Sequence, residues 1–258
     1  MSELALRPPS FTGDMRAMAA RSVRLSVRNM DALLTALFLP VMLMLLFVYL
    51  FGGAIETGTQ YVTYVVPGVI LLCAGFGSSL TAVAVTQDMN GGIMDRFRSM
   101  DVSGAAVLAG HVVASVARNL LSTVLVVAVA LLIGFRPQAD AAQWLAAVGV
   151  LLLFVLAFSW VSAAVGLITR SAEAAGGFTF FVMFLPYPSS AFVPIDTMPS
   201  WIHGFAEHQP FTPVIESMRG LLLDTPVGNA PWLAIAWCGG ILAVAVAASG
   251  FLFHRRIS

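Results

Sequence analysis

Twenty-five consecutive residues, Trp144 to Ile168, carry no charged side chain. Wound as a helix at about 1.5 Å per residue, such a run covers the roughly 30 Å of hydrocarbon in a bilayer. Ala32–Gly52 reads the same way, with Pro40 inside it, and so does Val62–Val85, which holds Pro67, Gly68, Gly75 and Gly77. Pro and Gly are tolerated in such helices where neighbours re-satisfy the freed backbone groups. Pro231–Phe253 is the last run, with Pro231 suited to a first helical turn and Trp232 to the membrane interface. With 59% hydrophobic and 10% charged residues and a mean hydropathy of +0.91, the chain departs from the roughly 45–50% and about 25% of soluble domains. An all-α, multi-pass membrane protein is expected.

Two further runs are less regular. Gly104–Phe135 is longer than a crossing needs, on the order of 45 Å. Counting a span back from Phe135 puts Arg118 at the water boundary and leaves Gly104–Ala117 as a helical stalk. His111 and Arg118, seven residues apart, share a face of it. Interfacial snorkelling is the favoured reading of Arg118, and a buried functional charge is the alternative. Ala174–Leu185 stops short against Pro186, Pro188, Pro194 and Pro199. It reads as a fifth span ending near Tyr187, followed over 186–224 by short helices that dip back into the outer leaflet. Within that segment Ile215, Met218 and Leu222 fall on one helical side, Glu216 and Arg219 on another. Backbone at such depth must be buried in protein or face water, so the segment is expected to line or plug a cavity.

Charge placement orients the six spans. Arg7, Arg16, Arg21, Arg24, Arg28, Arg96, Arg98, Arg170, Arg255 and Arg256 fall on one side; Arg136 and Arg219 fall on the other with Glu56, Asp140, Asp196, Glu207, Glu216 and Asp224. The excess of basic residues marks the cytoplasmic side, which receives both termini. Residues 1–30 form a cytoplasmic N-terminus, in which Asp14–Met30 sets Arg16, Arg21, Arg24 and Arg28 opposite Met15, Met18, Ala19, Val23 and Met30. That is the pattern of a helix lying in the headgroup plane, though a plain positive anchor explains the arginines equally. Residues 31–258 form the membrane domain. The opening residues lack an apolar core followed by a small-residue cleavage site, so no signal peptide is expected.

Several chemistries are disfavoured. All 13 basic residues are Arg; a P-loop needs a Lys on the β- and γ-phosphates, so the chain is not expected to hydrolyse ATP by itself. Cys73 and Cys238 lie in apolar runs and read as small hydrophobes. His203 and His208 are five apart, not the four of a helical zinc pair, and no metal site is expected. Gly75-Phe76-Gly77-Ser78-Ser79 resembles a serine-nucleophile turn only superficially, and small-residue helix packing is the better reading. No span centre carries a carboxylate for a proton relay.

One polar island remains, Gln87 to Ser103, between the second and third runs. On a helix, Ile93, Met94, Phe97 and Met100 share a face and Asp95, Arg96, Arg98 and Ser99 take the rest. Gly91-Gly92 frees the chain before Ile93, and the whole element is expected over about 88–101. It is either a solvated loop helix or a surface shown to a partner.

A basic entry helix, six spans, a cytoplasmic helix between spans two and three, and Pro-broken outer helices together resemble an ABC type-2 family permease. The run Gly92-Ile93-Met94-Asp95-Arg96-Phe97-Arg98-Ser99-Met100, with Ser103, Val107-Leu108-Ala109-Gly110, Arg118-Asn119 and Leu131-Leu132-Ile133-Gly134-Phe135-Arg136, is similar to the daunorubicin-resistance branch of drug exporters. The resemblance implies two permease copies and two separate ATP-binding subunits, with ATP and magnesium held there and no cofactor on this chain. It makes Ile93, Met94, Asp95, Arg96, Phe97, Arg98, Ser99 and Met100 the coupling helix. Spans two and five, with Ser78, Ser79, Thr81, Phe178, Thr179 and Met183, would face the partner permease and line the path of a hydrophobic drug or lipid-like substrate. It places the complex in a bacterial plasma membrane, with 186–223 as the outer gate. A secondary transporter or channel working without an ATPase, and more remotely an intramembrane enzyme using Ser78, Ser79, His203 and His208, are the alternatives.

Overall fold

The protein is described here by a computed structural model that covers residues 13, 20, 38, 40–55, 57–91 and 104–257. The segment expected as a headgroup helix over 14–30, apart from Ala20, and the island residues 93–100 lie outside the described residues. The regular structure of the described residues is helical, with no strand among them: α1 (Pro40–Phe51), α2 (Tyr61–Asn90), α3 (Gly104–Leu132), α4 (Ala141–Ile168), α5 (Ala172–Phe184), α6 (Ser200–His208), α7 (Phe211–Leu223) and α8 (Ala230–Ile257).

Local chemistry sets the helix ends. Asp140 and Gln143 close a reciprocal capping box at the start of α4, each side chain accepting from the other's backbone N–H at 2.7 Å. Ser171 caps α5 by accepting from Ala174 N at 3.2 Å. At the end of α7, Asp224 adopts a left-handed backbone (φ 53°) and Thr225 N returns to Gly220 O at 3.0 Å. The Asp224 carboxylate then accepts from Gln143 Nε2 at 2.6 Å, tying the end of α7 to the start of α4.

Four helices, α2, α3, α4 and α8, are long and apolar enough to cross a membrane. α1 and α5 are apolar but shorter; the 13 residues of α5 reach only about 20 Å. α2 also differs from its sequence reading. It continues five residues past Val85 to Asn90, so Gln87 to Asn90 form its last turn instead of opening the island. The apolar pattern ends at Val85, but the polar turn stays helical because its side chains find partners on other helices: Asn90 Nδ2 donates to Arg170 O at 2.9 Å, and Asp88 meets His111.

α2 is the centre of the fold. It packs on α3, α4, α5 and α7, while α8 lies across α4 and α7 at the margin. Most of the apolar window of α2 is buried within the chain (78%), against 17% for α8. Since lipid is as apolar as Leu, close van der Waals fit must hold such helices together, and small residues permit it. A Cβ built on Gly166 would stand 2.7 Å from Ala82 O and 2.8 Å from Val85 Cβ, whereas one on Gly149 meets nothing within 4 Å. Gly166→Ala is therefore expected to lower stability by about 1–3 kcal/mol through forced separation of α2 and α4. Gly149→Ala should stay within about 1 kcal/mol of the parent or gain slightly. Melting of the two detergent-purified variants checks this, and equal melting temperatures would refute it. The deepest aromatic contact joins α4 to α7: Phe211 meets Phe154 and Phe158 edge-on at 5.1 and 5.2 Å.

Candidate functional site

The polar contacts of the chain gather at three levels along α2. At the inner end, next to where the island departs, the His111 imidazole lies 3.1 Å from the Asp88 carboxylate, both largely buried. About half a turn deeper, Thr86 bonds Gly166 O at 3.1 Å and the Thr169 hydroxyl at 2.6 Å. With Asn90 on Arg170 O, the end of α2 is fixed to both α3 and the α4–α5 turn. Arg170 thus emerges beside the ends that the island connects.

The middle level is built on α3. Arg118 Nη2 donates to Gly77 O at 3.1 Å, and Asn119 Nδ2 donates to Ser115 O at 2.9 Å and Ser78 Oγ at 3.4 Å. Ser115 in turn accepts from Ser159 of α4 at 2.8 Å. Thr179 of α5 donates to Ser79 O at 3.3 Å. Gly77 is required here, since a Cβ would lie 2.4 Å from Asn119 Oδ1. Thr81 Oγ1, Asn119 Oδ1 and Ser122 Oγ are buried with no hydrogen-bond partner among the described residues, so the cluster keeps acceptor capacity in reserve.

Ser159 is nine residues from Ile168, the inner end of α4, or about 14 Å. Arg118 lies nearly one turn farther along α3 than Ser115. The guanidinium points inward onto α2 rather than along α3 toward water. The contact is one between helices, which the length of a single run does not reveal.

At the outer end, α2 carries the Pro-rich turn that follows α5. Tyr61 Oη donates to Phe192 O at 3.0 Å. The Phe192 ring stacks between Phe47 at 4.4 Å and Tyr187 at 5.0 Å. Gly68 lets Ala191 sit on α2, where a Cβ would come within 2.5 Å of Ala191 O. Gln209 holds Pro188 O from α6's end. Arg219 of α7 donates to Ser190 O at 2.6 Å and to Tyr64 O at 3.3 Å, and its guanidinium stacks 3.9 Å over the Tyr64 ring. Burial pushes its pKa below the ordinary value, and Tyr64 and Glu216 oppose that shift.

The residues singled out in the sequence are therefore distributed as follows. Ser78, Ser79 and Thr81 are buried inside the chain, against α3 and α5, and not on an outer face of α2. Thr179 joins them, while Phe178 and Met183 are half-buried on α5. His111 and Arg118 lie on one side of α3 but serve different levels. Ile93, Met94, Asp95, Arg96, Phe97, Arg98, Ser99 and Met100 are outside the described residues. His203 and His208 each bond a nearby carbonyl, Met198 O and Gly204 O, and not one another. Asp88, Asn119, Ser115, Ser159, Tyr61 and Tyr64 had no functional reading in the sequence. Arg219 was set with Glu216 on the polar side of its helix, although it falls four residues after Ile215 and three before Leu222, the spacing of a shared helical face.

The model of the ABC-2 type transporter family matches residues 14–223, the stretch that contains all three levels. The chain is 29% identical over 214 residues to the daunorubicin resistance ABC transporter permease protein DrrB1 of Streptomyces coeruleorubidus, an alignment covering 82% of this chain and 76% of the relative. It is 24% identical over 219 residues to the probable doxorubicin resistance ABC transporter permease protein DrrC of Mycobacterium tuberculosis strain H37Rv, covering 84% and 79%. A lysine-free, helical membrane chain of this architecture belongs to the ABC-2 type transporter family, as the transmembrane permease of an ABC exporter.

Proposed function

We propose that this permease takes its energy from a separate ATP-binding subunit docked on Ile93–Met100, and that two copies form the exporter, moving a hydrophobic drug or lipid-like molecule out of a bacterial cytoplasm. The observation that carries the reading is the inner level of α2. The island joins the ends of α2 and α3, and there Asp88–His111, Thr86–Thr169 and Asn90–Arg170 bind α2, α3 and the α4–α5 turn together. A force applied to the island would reach the helices as one unit. ATP and magnesium would sit on the partner subunit. On this reading six crossings, with α1 and α5 each completed by adjoining residues, leave both termini in the cytoplasm.

The substrate class is inferred from the relatives, whose names concern daunorubicin and doxorubicin resistance. The exposed Phe180, Phe181 and Phe184 of α5 suit an aromatic molecule passing between two copies. The outer turn and α6–α7 would close the path from outside. The test is a pull-down in detergent. Phe97→Ala with Arg98→Glu removes an apolar anchor and reverses a charge, and co-purification of the ATP-binding subunit is expected to fall about tenfold or more. Undiminished co-purification would rule out docking at the island. Transport by the reconstituted permease with no ATPase present would instead favour a secondary transporter.

A further inference from the structure

We propose that Arg219 is a releasable latch on the outer gate: it holds the Pro186–Phe192 turn closed against α2 and lets go when the gate opens. The proposal rests on the reading of that turn as the gate and names the contact that sets its opening.

Three features of Arg219 fit a latch better than a permanent anchor. First, it spans three elements at once: it sits on α7, bonds Ser190 O on the turn, and bonds and stacks on Tyr64 of α2. Only a planar, multi-donor cation can stack and bridge in this way. Second, its acceptors are backbone carbonyls. Tyr64 O lies within α2, where it can also accept the helical bond from Gly68, so losing Arg219 does not strand it. Third, Arg219 is only partly buried, and Glu216 on the same helix is exposed beside it. A released guanidinium therefore has water and a carboxylate to turn to, so opening strands no charge in lipid.

Besides Gln209, which holds Pro188 O from the end of α6, the remaining contacts named for the turn are packing and one bond to α2: Gly68 against Ala191, Phe192 between two rings, and Tyr61 on Phe192 O. Ser190 itself is buried with a hydroxyl that has no hydrogen-bond partner among the described residues. The turn is thus fitted to α2 rather than locked to it, and the charge-assisted bonds of Arg219 are the strongest single tie between them.

The experiment uses the full exporter with its ATP-binding subunit, in proteoliposomes loaded with calcein and given no ATP. Arg219→Gln is expected to raise calcein efflux about tenfold over the parent, with Arg219→Lys in between because an ammonium neither bridges both carbonyls nor stacks as well. Melting temperatures should match the parent. Tyr64→Leu, which removes the ring and keeps the carbonyl, should also leak, and it decides the matter should Arg219→Gln prove unstable. Gly68→Ala pushes the turn off α2 directly and reports on the gate itself. A leak from Gly68→Ala but none from the Arg219 and Tyr64 variants would overturn the latch and leave the gate standing. No leak from any of them would overturn both.

Discussion

Arg118→Met is expected to fold as well as the parent, or slightly better, and to lose at least about nine-tenths of transport. The two halves of that result follow from different physics. A buried charge replaced by an apolar side chain of similar volume is commonly neutral or stabilising by about 1–4 kcal/mol, because the cost of desolvating the ion disappears. Gly77 O, the acceptor of Arg118 Nη2, keeps its place in α2 and is not orphaned by the change. A cation carried inside an apolar helix is costly, up to roughly 2.5–3.5 kcal/mol on insertion scales, so its presence points to work that an apolar residue would not do. The surroundings suggest what that work is. Asn119, Ser115, Ser78 and Ser159 form a chain of small dipoles between α2, α3 and α4, and the hydroxyls of Thr81 on α2 and Ser122 on α3 are buried with no partner among the described residues. Such a cluster has a second way of bonding available, and Arg118 can choose between the two as the helices shift. The measurement is ATP-driven accumulation of doxorubicin in inside-out vesicles, set against the melting temperature of the same preparation. Full transport by Arg118→Met would reduce the residue to a dispensable anchor. Arg118→Lys, which keeps the charge without the fork, is expected to transport at an intermediate rate.

The fold was legible wherever one run of residues carried the whole signal. Trp144–Ile168 is α4 with three residues added at its start, and those belong to the capping box of Asp140 and Gln143. The amphipathic set Ile215, Met218 and Leu222 is indeed the buried face of α7, with Glu216 outward. What could not be read was anything decided between helices. Asp88 fell inside the polar island, and its partner, His111, lies on the island's far side. Arg118 looked interfacial because nothing in its own run reveals that Gly77 leaves room for Asn119 beside it. Ser78, Ser79 and Thr81 looked like a path between copies, since a polar stripe in an apolar helix marks an inward face without saying whose interior it faces. Arg219 was placed on the outer side, on the polar face of its helix with Glu216. Its spacing from Ile215 and Leu222 was the available clue, and only the position of Tyr64 on another helix turns that clue into a contact.

Ala109→Pro is the second large effect, and it asks which helix carries motion away from the island. Ala109 is the sixth residue of α3, past the first turn, where proline is no longer harmless. The substitution removes the N–H that bonds Ala105 O and drives the ring against that carbonyl, at a cost of about 3 kcal/mol or more and with a kink. The kink falls between the island and His111. Residues 104–108 would stay with the island, while His111, Ser115, Arg118 and Asn119 would stay with the bundle through Asp88, Ser159 and Gly77. Leu108 and Val107, both buried, anchor the short inner piece, so the helix is bent but not released. Transport of doxorubicin is expected to fall at least tenfold, while binding of the ATP-binding subunit changes less than about twofold, because the docking residues lie outside the kink. Ala109→Gly costs only about 1 kcal/mol without a kink and should retain most activity. Were Ala109→Pro to transport normally, the stalk would be passive. The drive would then have to enter through α2 alone, and Asp88→Asn, which weakens the tie between the two helices, would be expected to leave export unchanged as well.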